Sequence, residues 1–261
     1  MVYARPSVMA EIPIVAVAMG AYGGSTPTDA AHTDPDPGRA SDGPPPAAHA
    51  ARRRPSSPAL ILEALLLFGV VPLLFLFNLP RGVMPAVMLL ALAYVIVQGA
   101  RYKLIPKRSF GLNGFRQFRP MSLLFALFAL ASTAAVALLE PDSLFSVVRT
   151  DVGLWLLMLV IYCCFSVYPQ ALLFRGFFIE RFGSLFHDER ALVLVNAAAF
   201  AWAHNIIAQP LVYVLTFCGG VLFCRTWLKS RSILAVSIEH ALYGFWLFTV
   251  GLGGYFAFPG G

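Results

Sequence analysis

Apolar residues in this chain gather into long runs rather than into alternating or one-sided patterns. The runs cover about 59–78, 84–99, 121–139, 152–168, 191–208, 211–228 and 233–256. Each is close to the length one helix needs to cross a bilayer. Turn-forming or charged stretches separate them: Pro80-Arg81-Gly82, the basic segment 101–119, Glu140-Pro141-Asp142-Ser143 and Gln209-Pro210. The pattern predicts an all-α polytopic membrane bundle of about seven transmembrane helices. A β-barrel would show short alternating segments instead. Pro169 follows the fourth run. Proline suits a first helical turn and not an interior, so the helix is expected to break or restart there. Residues 170–182 would then form a further helix, re-entrant or lying at the interface.

Residues 1–57 differ from the rest. They are rich in Pro, Ala, Asp, Gly and Ser, too polar to bury a core, and are expected to form a disordered tail ahead of a transmembrane domain at 58–258. An over-long start to the reading frame fits the same composition. The short apolar run 12–21 contains Pro13 and follows Glu11, with no basic region ahead of it, so a cleaved signal peptide is not expected.

Composition agrees with a membrane protein. The chain has 261 residues, 59% hydrophobic and 12% charged, against about 25% charged in a soluble domain. The net charge of +6 does not point to nucleic acid, because the basic residues sit in loops and make no aromatic-interleaved face. They orient the helices instead. Arg52, Arg53, Arg54, the 101–119 segment, Arg175, Arg181, Arg190, Arg225, Lys229 and Arg231 fall on one side, with Arg81 and Arg149 opposite. That asymmetry predicts a cytoplasmic N-terminus and an outside C-terminus. Cys163, Cys164, Cys218 and Cys224 lie inside apolar runs and read as small buried hydrophobes.

Three polar islands interrupt the apolar runs. The first spans residues 168–178 and holds Gln170 and Arg175. The second holds Asn196, Phe200, His204 and Asn205. The third holds Glu239, His240 and Gly244. Ionisable groups are costly within a membrane and face the bundle interior. Asn196, Phe200 and His204 recur every fourth residue and share one helix face, with Asn205 and Gln209 close to it. Glu239 is about 100° around its helix from His240, free to pair with a basic side chain or reach toward the inner surface. Gly219-Gly220 permits close backbone approach between the histidine-bearing helices. Three chemistries stay open for such a site. One is hydrolysis, with one His activating water and the other stabilising an oxyanion. Another is a metal site, although two His without a nearby carboxylate are thin ligation for zinc. The last is a proton-linked transport path, which the lack of an internal repeat disfavours.

The islands resemble, in order and spacing, the motifs of the CAAX-protease and bacteriocin-processing (CPBP, or Abi) family of intramembrane endopeptidases. Arg175-Gly176 resembles the end of the family's first motif, Phe200 and His204 its second, and His240 its third, with coverage of about residues 150–257. The resemblance implies a bacterial cytoplasmic membrane, the lipid bilayer as setting, and a peptide or membrane-anchored protein as substrate. No cofactor or metal is assigned. In roles carried over residue by residue, His204 would activate water with help from Gln170. His240 would stabilise the oxyanion, and Arg175 would position the first-motif helix. Ala171, Phe200, Asn205, Glu239 and Gly244 would support them. Two departures stand out: Gln170-Ala171 occupies the place of two glutamates, and Gly244 the place of an Asn. Alanine cannot take a proton, and Gln170 can orient water but cannot act as a base. A peptidase and a non-catalytic peptide-binding or immunity-type relative are therefore both expected outcomes. Arg175 also loses its carboxylate partner and needs Glu180, Glu239 or backbone carbonyls in its place.

Overall fold

The structure, a computed structural model, describes residues 57–77, 83–111 and 118–256. Apart from Ser57, the tail expected at 1–57 lies outside the described residues, as does the Pro80-Arg81-Gly82 turn. Among the described residues, seven helices are long and apolar enough to cross a membrane. They are α1 (Ser57–Leu76), α2 (Val83–Tyr102), α3 (Phe118–Leu139), α4 (Val152–Leu185), α5 (Glu189–Trp202, whose span is carried on to Ile207 by a short 3-10 turn), α6 (Pro210–Ser230) and α7 (Ile233–Val250). No strand occurs among the described residues. The all-α membrane bundle anticipated from the apolar runs is what forms.

Burial divides the helices into a core and a lipid-facing shell. Within their most apolar windows, α5, α6 and α7 have 44%, 50% and 56% of residues buried, against 6–17% for α1 to α4. Side chains such as Leu138 and Phe165 stand exposed on the shell, where in a bilayer they meet acyl chains. Helix α7 joins the two parts. The indole of Trp246 donates to Ser132 Oγ on α3 at 2.9 Å, and that of Trp155 on α4 donates to Thr249 Oγ1 at 3.0 Å. The start of α7 is fixed by Ser232, whose hydroxyl accepts from Ala235 N–H and donates to the Gly111 carbonyl.

Pro169 does not break its helix, contrary to expectation, and 170–182 continues α4 rather than forming a separate helix. Helix α4 runs unbroken through 34 residues, about 51 Å at 1.5 Å per residue. It must tilt or project beyond a hydrocarbon core of about 30 Å. Wide π-type turns at Tyr162–Val167 and Leu172–Phe177 flank the proline. Such a turn loosens the backbone ladder where Pro169 has no N–H to give, and Tyr168 ahead of it keeps helical φ −64° and ψ −47°. Buried residues of α4 cluster in its second half, with Phe174, Arg175, Phe177, Phe178 and Phe182 turned inward.

Two ion pairs anchor that half. Arg181 grips Glu63 of α1 in a fork, Nη2 to Oε2 at 2.8 Å and Nε to Oε1 at 3.2 Å, and Tyr94 of α2 donates to the same carboxylate at 3.0 Å. Glu180 pairs with Arg231 and accepts from the Trp227 indole at 3.3 Å. Glu180 is thereby spent on the α6–α7 junction and is not the partner of Arg175.

Candidate functional site

The site is organised around one aromatic ring, Phe200, near the end of α5. Arg175 of α4, His204 beyond α5 and His240 of α7 all meet it. The Arg175 guanidinium carbon stands 4.5 Å from the ring centroid, the His204 ring 4.8 Å and the His240 ring 5.5 Å. The first, second and third polar islands therefore converge from three different elements. Phe223 of α6 closes a further side, stacking on His240 at 4.7 Å and lying 5.6 Å from the Arg175 guanidinium.

Arg175 is 1% exposed, and among the described residues no carboxylate lies within ion-pair distance of it. Its charge is met by the faces of Phe200, Phe223 and Phe174 and by the Gly220 carbonyl, to which Nη2 donates at 3.3 Å. Spread over aromatic quadrupoles in a desolvated setting, a guanidinium gains about 2 kcal/mol per favourable ring. Gly220 makes this approach possible. A Cβ there would come within 2.8 Å of Ala197 Cα on α5. The close approach is thus between α5 and α6 at Gly220; a Cβ on Gly219 would meet only Phe223 of its own helix.

His204 does not lie on a helix, as its spacing had suggested. Helix α5 ends at Trp202, and the His204 backbone N–H bonds the Ala201 carbonyl at 3.0 Å. The Phe200 carbonyl is thereby left open to the His204 ring, with Nδ1 at 2.7 Å. A carbonyl only accepts, so Nδ1 carries the proton and Nε2 keeps a free lone pair. The end of α5 sets the tautomer that a base or ligand would need.

The supporting residues divide. Glu239 is 1% exposed beside Thr226 of α6, and among the described residues its Oε2 has no hydrogen-bond partner. No ion pair joins it to Arg175 among the described residues. Ala171 is buried at 2% exposure in the stretch of α4 that packs on α7. Gln170 donates from Nε2 to Ser166 Oγ at 2.9 Å, one turn back on its own helix, and has no contact with Arg175 among the described hydrogen bonds. Asn205 turns away from the site. Its Nδ2 donates to the Pro72 carbonyl of α1 at 2.9 Å, beside the Trp202 indole on the Gly69 carbonyl at 3.0 Å. The helix ends before Asn205, so the face inferred from its spacing does not exist there. Asn196 holds the two motif helices together through Nδ2 to the Phe174 carbonyl at 2.8 Å. Gly244 gives its space to Tyr162 of α4. Neither Tyr162 nor Phe223 stood out in the sequence, since aromatic residues are abundant in every run.

Among the described residues, no three His, Cys, Asp or Glu side chains gather as a metal would require. With a free Nε2, a second imidazole and a buried cation around one ring, the arrangement can polarise a carbonyl and accept a proton from water.

Residues 152–246, from the start of α4 through most of α7, match the family model for type II CAAX prenyl endopeptidase Rce1-like proteins. Comparison with curated proteins and with solved structures gave no match. All three polar islands fall inside the matched stretch. The chain is an integral membrane protein, and its residues 152–246 are similar to the type II CAAX prenyl endopeptidase Rce1-like proteins, in keeping with the resemblance to the CPBP family.

Proposed function

We propose that the protein is an intramembrane endopeptidase that hydrolyses a peptide bond of a peptide or membrane-anchored protein substrate. His204 Nε2 takes a proton from water, His240 donates to the carbonyl oxygen, and Arg175 holds α4 in register with α5 and α6. The convergence of both histidines and Arg175 on Phe200 carries this proposal. Glu239 serves as the distant counter-charge of Arg175 in place of the missing first-motif glutamates. Purified protein in detergent micelles, offered a peptide substrate, is expected to cut it, and His204→Ala to lose the activity. Equal cleavage by His204→Ala would remove the proposal.

One observation favours a second role, that of a peptide-binding relative that does not cut. Ala171 sits buried where a carboxylate is expected of an active member, and Glu180, the carboxylate that α4 does carry, is taken up by Arg231 and Trp227. Comparing the parent with Ala171→Glu separates the two. Cleavage that begins only with the substitution supports the binding role, and strong cleavage by the parent ends it.

A further inference from the structure

Gly244 lies one helical turn beyond His240 on α7, so the two positions share a face, with about 5–6 Å between Cβ positions. A Cβ at 244 would overlap the hydroxyl oxygen of Tyr162. That phenol comes from α4, where the wide turn Tyr162–Val167 begins. Its ring meets His240 edge-on at 6.1 Å and is backed by Phe245 at 6.4 Å and Phe248 at 5.6 Å. The aromatic backing fixes the ring, and the absent side chain at 244 lets its oxygen reach the α7 backbone beside His240.

We propose that Tyr162 is a second oxyanion donor, its hydroxyl hydrogen-bonding the scissile carbonyl oxygen next to His240. This rests on the peptidase proposal. As water adds to the carbonyl carbon, the C=O π pair moves onto oxygen, and its negative charge is met by the Tyr162 O–H and by His240. Tyr162 keeps its proton. The proton from water passes to His204 Nε2 and then to the leaving amine as the C–N bond breaks. A preorganised donor of this kind accounts for about 10²–10³ in rate. A donor and a packing residue differ in what they recognise. An oxyanion donor prefers a tetrahedral anion, whereas a packing residue does not.

The test is binding by the full chain in detergent of two probes: a peptide phosphinate, which mimics the tetrahedral anion, and the matching uncut amide peptide. Tyr162→Phe removes one oxygen and is expected to weaken the phosphinate about tenfold or more while leaving the amide unchanged. Gly244→Ala, which displaces the hydroxyl without removing it, is expected to give the same selective loss. If Tyr162→Phe weakens both probes equally or neither, or if the parent shows no preference for the phosphinate, Tyr162 is not a donor. Cleavage by the parent is scored separately. A parent that prefers the phosphinate through Tyr162 but never cuts removes the peptidase proposal and keeps the donor. A parent that cuts without a selective loss in Tyr162→Phe does the reverse.

Discussion

The Arg175 guanidinium stands 4.5 Å over the Phe200 ring, with aromatic faces where an ion pair would be expected. A planar, weakly hydrated guanidinium can spread over three rings, whereas a compact ammonium cannot. Arg175→Lys is therefore expected to lower the thermal midpoint in detergent more than Arg175→Met, which removes the buried charge altogether. A midpoint for the Lys variant above that of the Met variant would contradict this account of the charge.

The Glu63–Arg181 fork ties α1 to the inward-turned half of α4, at 14% and 7% side-chain exposure. Glu63→Ala leaves Arg181 buried without its partner and is expected to cost about 3–5 kcal/mol. Glu63→Gln keeps an acceptor for Tyr94 and for one arm of the fork, and is expected to cost less. Thermal unfolding of the two variants side by side gives the order.

Gly220 faces the α5 backbone, with Ala197 Cα 2.8 Å from the position a Cβ would take. Gly220→Ala must part α5 from α6 and is expected to cost about 1–3 kcal/mol. It should also disturb Arg175, which bonds the Gly220 carbonyl. Gly219→Ala should cost less stability, since its Cβ meets only the movable Phe223 side chain. Equal midpoints for the two would show that the α5–α6 contact is not limiting.

The charge asymmetry predicts which loops face the cytoplasm. In a background with Cys163, Cys164, Cys218 and Cys224 replaced by Ala, a membrane-impermeant thiol reagent applied to intact cells should label Asp142→Cys and not Lys107→Cys. Both positions are exposed on the protein, so labelling reports the side of the membrane. The opposite pattern would invert the orientation.

Much of this bundle is legible in the apolar runs, because a helix in lipid must satisfy its own backbone and needs a fixed length to span. The polar islands were legible for a related reason: His204, Arg175 and His240 stand out where charge is costly. What spacing alone could not convey was where helices end and which neighbour each face meets. Proline removes a backbone donor and so predicts a break at Pro169, yet wide turns on both sides absorb the loss. Spacing predicts His204 and Asn205 on the helix of Phe200, but that helix stops at Trp202, and only His204 faces Phe200 and the candidate site. Tyr162 and Gly244 are 82 residues apart and were invisible as a pair until α4 and α7 came together.

The most direct measurement is peptide hydrolysis by the purified full chain beside its His204→Asn and His240→Asn variants, each checked for an unchanged thermal midpoint. His204→Asn can still reach the Phe200 carbonyl with its amide but has no basic nitrogen at the Nε2 position. The account predicts cleavage by the parent and a loss of about 10²–10⁴ in rate for His204→Asn, with a loss for His240→Asn as well. Cleavage by His204→Asn at the parent's rate would contradict it.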